Sequence, residues 1–116
     1  MIKRDLSYAV SENENMRGGD GVVTIEHLLS AEELYEKGRL YARISLEPGC
    51  SIGYHVHEGE MESFYIMNGV AEISDNGEIV TLNKGDSILT RSGEGHSVKS
   101  VGNEKLEMLA LILHKN

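Results

Sequence analysis

Two of the chain's five histidines, His55 and His57, stand one residue apart in GCSIGYHVHEGEMESFYIMNG (49–69), and three acids, Glu58, Glu60 and Glu62, follow them. Residues at i and i+2 of a β-strand project from one face, so these two imidazoles can share a target. Neutral imidazole is the commonest protein ligand of transition metals, and metal binding is the chemistry this spacing suggests. Geometry chooses among the acids. Residues 58–61, EGEM, read as a four-residue hairpin loop bending at Gly59. Glu62 then opens the returning strand opposite His57, where directly opposed residues share a face with Cβ atoms roughly 5 Å apart. Glu62 therefore joins the histidines, and Glu58 and Glu60 fall to the exposed loop. A fourth donor must come from another strand. The candidates are His27, His96 and His114, with His96 preferred because the glycine-rich loop SGEG before it lets its strand turn inward.

The elements that must position these side chains are short strands. VVTIEHLL (22–29), LYARISL (40–46), SIGYHVH (51–57), ESFYIM (62–67), VAEIS (70–74), EIVTL (78–82), SILT (87–90), HSVKS (96–100) and LEMLALIL (106–113) are rich in β-branched, aromatic and aliphatic residues. Asn76-Gly77 between alternating segments is a hairpin signal. Strands recurring at this spacing with turn residues between them predict an all-β sandwich or barrel. Alternation puts Leu40, Ala42, Ile44 and Leu46 on the core face. SAEELYEKG (30–38) is the one helix candidate, about two turns, with a Ser30–Glu33 capping box and Gly38 at its end. Residues 1–21 form an N-terminal arm without core periodicity, and 22–116 form the single domain. RGGDG (17–21) lacks the lysine and the strand-to-helix setting of a phosphate loop and reads as a flexible connection.

Composition narrows the function. Eleven basic against nineteen acidic residues leave a net charge of −8, which repels nucleic acid and anionic membrane surfaces, so neither is expected as a partner. The chain has no apolar run of membrane-spanning length and no leader-like start, and a cytoplasmic location is expected. Its single cysteine, Cys50, has no partner for an internal disulfide and reads as a packed or passively exposed thiol. The last strand is apolar on both faces. An antiparallel sheet normally leaves one face to solvent, so a homodimer that covers the outer face is expected.

Two stretches carry a family resemblance. Gly49, His55, His57, Glu62 and Gly69 keep every spacing of the first cupin motif, and Gly85, Gly93 and His96 keep those of the second; Arg91 stands where a proline is usual and Ser100 where an asparagine is. The chain thus resembles the cupin superfamily over 49–100. The resemblance implies a cupin-type jelly-roll barrel (double-stranded β-helix), here with one short helical turn, and a divalent metal held by His55, His57, Glu62 and His96. Fe, Mn, Ni, Co, Cu and Zn all suit such a donor set. The superfamily includes dioxygenases, oxalate-type decarboxylases, sugar-phosphate isomerases, lyases and pure binding modules, and a fold does not select among them. The leading expectation is a metal-dependent, dioxygenase-like cupin acting on a small oxygen-rich metabolite. The alternatives are a non-catalytic module that binds a small molecule or carbohydrate, and a sugar isomerase. No catalytic residue beyond the ligands is identified. By alternation with Glu62, Phe64 and Ile66 point inward and, with Met108, are the candidate pocket lining. Arg43 and Arg91 are weighed as anion clamps, but parity turns Arg43 outward and Arg91 lies in a loop.

Overall fold

A computed structural model describes residues 1–116. The chain runs through β1 (Ala9–Glu14), a 3-10 turn (Met16–Gly18), β2 (Val22–Leu29), β3 (Gly38–Leu46), β4 (Ser51–Val56), β5 (Glu60–Asn68), β6 (Ala71–Asp75), β7 (Glu78–Leu82), β8 (Ser87–Thr90), β9 (Gly95–Ser100) and β10 (Leu106–His114). All pairings are antiparallel. Six strands form one sheet in the order β1-β2-β3-β10-β5-β8, and four form a second in the order β4-β9-β6-β7. This is the jelly-roll arrangement, with an apolar core between the two sheets. No helix is long and apolar enough to cross a membrane.

Period-2 alternation builds the core as the sequence predicts. Leu40, Ala42, Ile44 and Leu46 are buried, and opposite them so are Leu106, Met108, Ala110 and Ile112. At these positions β10 buries one face. Leu109, Leu111 and Leu113 point outward and stay partly exposed beside Tyr41 of β3 and Met61 and Tyr65 of β5. The β6–β7 hairpin closes on Asn76 and Gly77, at φ 52° and 90°, the left-handed pair that a two-residue hairpin turn requires.

One segment differs from the sequence reading. The 30–38 segment is a set of turns and not a helix. Its capping box does form, with the Ser30 backbone N–H donating to Glu33 Oε1 at 2.8 Å and the Glu33 N–H donating to Ser30 Oγ at 3.1 Å. Tyr35 and Glu36 then take left-handed backbones at φ 55° and 57°, which no right-handed helix accommodates, and the chain reverses into β3. The one helical turn is instead Met16–Gly18. Residues of the arm also have defined places: β1 pairs along β2 from Ala9↔His27 to Glu14↔Val22, covering that sheet edge within the same chain.

Candidate metal centre

Three strands and one corner bring four donors together. His55 is on β4, His57 directly follows that strand, Glu62 is on β5 and His96 is on β9. His55 and His96 are paired neighbours across the β4–β9 ladder. Glu62 reaches them by a route the sequence reading did not anticipate. β4 and β5 do not pair as a hairpin. Residues 57–59 carry the chain from the four-stranded sheet to the six-stranded one, where Glu62 pairs with Thr90 and Ile112. Its carboxylate therefore faces the histidines across the barrel.

The four donor atoms lie within 4.8 Å of one another. His96 Nε2 is 3.2 Å from both His57 Nε2 and His55 Nε2. Glu62 Oε1 is 2.9 Å from His57 Nε2 and 3.1 Å from His96 Nε2. Adjacent donors on one six-coordinate ion, with bonds of about 2.1 Å, stand about 3.0 Å apart, so these separations are those of a shared centre. His57, Glu62 and His96 are all buried, and His55 is half-buried.

The other ring nitrogens set the tautomers. His55 Nδ1 donates to the Gly53 carbonyl at 2.8 Å, and His57 Nδ1 donates to Glu60 Oε1 at 2.9 Å. His96 Nδ1 lies 2.8 Å from Thr90 Oγ1, and the ring stacks on Phe64 with centroids 5.0 Å apart. The Gly53 carbonyl and the Glu60 carboxylate only accept, so neutral His55 and His57 aim Nε2 lone pairs at the common point, and His96 does the same when Thr90 Oγ1 accepts from its Nδ1. Three lone pairs and a carboxylate oxygen at this range repel unless a proton or a cation sits among them. The donor set therefore fits a divalent transition ion.

The ionisation of these groups follows from the same contacts. The hydrogen bond to the Glu62 carboxylate holds His57 above the usual histidine range. Burial pushes His55 down, reinforced by its two neighbouring imidazoles. Burial works to raise Glu62, but hydrogen bonds from His57 and His96 outweigh it and keep the carboxyl below its ordinary value. Glu60 is not a free loop residue. The Arg39 guanidinium grips it with Nε and Nη2, each at 2.8 Å, and lowers its carboxyl to about 2. Glu60 thus stays ionised as the acceptor behind His57, a carboxylate–histidine relay of the kind that orients metal ligands.

A cavity of ≈ 200 Å³ opens onto His55, His57 and Glu62, and its lining includes Arg17, His27 and Phe64. Of the three expected lining residues only Phe64 is there. Ile66 and Met108 are wholly buried core, because Ile66 lies four residues beyond Glu62, about 13 Å further down the barrel. His27 is on the lining but not in the donor cluster, its Nε2 3.2 Å from Ser11 Oγ. His114 is exposed at the end of β10. Arg43 pairs with Glu26 at 2.6 Å on the outer face, as parity requires. A larger hollow of ≈ 660 Å³, lined in part by Tyr8, Leu29 and Tyr41, contains none of the donors.

A family model described as Cupin domain matches residues 42–112. An oxalate-binding protein of Thermotoga maritima is 46% identical over 113 residues, 97% of this chain and 93% of that protein. The crystal structure of a predicted oxalate decarboxylase from Thermotoga maritima superposes with a TM-score of 0.94 at 46% identity, over 98% of this chain and 99% of that one. The plu4264 protein of Photorhabdus luminescens superposes with a TM-score of 0.73 at 22% identity, over 99% of this chain and 88% of that one, a likeness of fold alone.

Proposed function

The chain belongs to the cupin domain family, and on that premise we propose that it is a metal-dependent binding protein for a small oxygen-rich anion of the oxalate class. The observation that carries this reading is the convergence of three Nε2 lone pairs and the Glu62 carboxylate on a partly apolar cavity. A divalent ion bound there would act as a Lewis acid with open positions for two oxygens of a chelating ligand. The chain's own residues do the rest. Gly53, Glu60 and Thr90 hold the rings in register, and the apolar wall around Phe64 limits water. The volume suits a molecule of a few heavy atoms. Metal analysis of protein purified without added metal, followed by calorimetric titration with oxalate, tests the reading. Saturable binding that vanishes on chelation supports it; binding undiminished in the metal-free protein, or none in the metal form, refutes it.

One observation favours catalysis as a second reading. Decarboxylation of oxalate to carbon dioxide and formate needs a proton in place of the departing carboxyl, and His27 is the one lining imidazole outside the donor set. Formate release that is lost in His27→Asn would favour this reading, and oxalate-dependent oxygen uptake would favour an oxygenase. We propose further that the protein is a homodimer, closed through Tyr41, Leu109, Leu111 and Tyr65 on the outer face of the six-stranded sheet.

A further inference from the structure

We propose that Arg17 is the residue that recognises the ligand's negative charge, held over the cavity mouth by a hook, residues 15–21, folded from the N-terminal arm. This rests on the reading of the cavity as an anion site. The cavity lining contains two guanidinium groups, Arg17 and Arg39. Arg39 is committed, since both oxygens of Glu60 engage it. Arg17 is not. The ion pairs of the lysines and arginines involve Lys3, Arg39, Arg43 and Lys105, and no carboxylate lies within 4.0 Å of Arg17. Its side chain is exposed and stands on the lining of the cavity that opens onto His55.

The backbone around Arg17 is shaped for this position. Asn15 and Arg17 adopt φ of 53° and 55°; asparagine tolerates this region, but arginine takes it where its surroundings impose it. The hook is closed by the Asn15 N–H donating to the Gly21 carbonyl at 2.8 Å, and is clipped to β4 by the Ser51 N–H donating to the Asp20 carbonyl at 2.8 Å. Two glycines let it sit so close. A Cβ on Gly53 would stand 2.0 Å from the Arg17 carbonyl oxygen, and one on Gly19 would stand 2.2 Å from that of Ser51. Gly53 is also the residue whose carbonyl orients His55. The hook that carries Arg17 and the first imidazole of the donor set are therefore seated on the same residue.

Charge balance gives Arg17 its selectivity. A divalent ion with the Glu62 carboxylate leaves one net positive charge. A chelating monoanion neutralises it, whereas a dianion leaves a negative charge in a partly apolar cavity. Arg17 is the lining group free to compensate that charge. The site should consequently prefer a dianion such as oxalate to a monoanionic chelator such as glycolate, and the preference should depend on Arg17.

The test uses full-length protein carrying the metal it retains on purification, titrated calorimetrically with oxalate and with glycolate. Arg17→Gln should weaken oxalate by about ten- to hundredfold and leave glycolate within a few-fold. Arg17→Lys should recover part of the loss. Metal content and melting temperature should match wild type in both variants. Equal oxalate affinity in Arg17→Gln and wild type overturns the inference, as does a parallel loss of metal, which would mark a structural role. Failure of the wild-type metal form to bind oxalate overturns the proposed function and this inference with it, an outcome distinct from the other two.

Discussion

Glu60→Ala is expected to weaken metal binding by about tenfold while leaving the fold in place. Glu60 makes two kinds of contact, and they differ in worth. Toward Arg39 it forms a paired ion bridge, but the Arg39 side chain is 46% exposed, so solvent screening limits that bridge to about 0.2–1 kcal/mol of stability. Toward His57 it accepts the Nδ1 proton at 2.9 Å and fixes the ring so that Nε2 faces the other donors. Loss of such a partner behind a metal-bound histidine costs about 10- to 100-fold in affinity, about 1.4–2.7 kcal/mol. The lower end applies here, because Glu60 keeps 13% of its side chain exposed and water can take its place beside the vacated N–H. Glu60→Gln retains an acceptor oxygen, and its loss should be about threefold. Competition against a chelator of known affinity measures the binding, and melting of the metal-free proteins measures the fold, which should lose no more than about 5 °C. Wild-type metal affinity in Glu60→Ala would refute the relay. A large fall in melting temperature would show that Glu60 supports the barrel and not the ring.

Three further outcomes are expected. Chelation should lower the melting temperature modestly and leave a folded protein, because the sixteen-residue apolar core includes none of the four donors, whereas His57→Ala should abolish stoichiometric metal; unfolding by chelator at room temperature would contradict this. Metal affinity should fall as pH falls, since the bound imidazoles must be deprotonated. His57, raised by Glu62, keeps its proton to higher pH than an ordinary histidine, so the loss should begin on the alkaline side of the usual histidine range, and His55, lowered by burial, should add to it only at lower pH; chelator competition across pH measures this, and a flat profile would refute it. Light scattering should give about twice the 12.8 kDa chain mass, and Leu111→Glu should give a soluble monomer with its metal retained, while a wild-type mass near that of one chain would end the dimer proposal.

Local pattern in the sequence was enough to locate nine of the ten strands, all but β1 in the arm. Alternation at 40–46, the Asn76-Gly77 turn and the bounds of β2, β7 and β8 are local properties, set by side-chain direction and turn chemistry, and they read correctly. The same pattern singled out His55, His57 and Glu62, with His96 added from the glycine-rich loop before it and the family resemblance, but the hairpin invoked to choose Glu62 does not exist. Period-2 alternation states which way a side chain points and not which strand lies beside it. Strand pairing is a non-local outcome of packing the whole chain, and it put β4 and β5 in different sheets, so that Glu62 meets the histidines from across the core. Tertiary structure likewise turned Glu60 from a loop acid into the partner of His57 and Arg39, and placed Ile66 below the cavity that Phe64 lines. It unwound the 30–38 segment after its capping box, because the chain had to reverse into β3. Arg17 lay in a stretch with no periodicity and no motif; only the close approach of its backbone to Gly53, a contact between residues 36 positions apart, brings it to the mouth of the site.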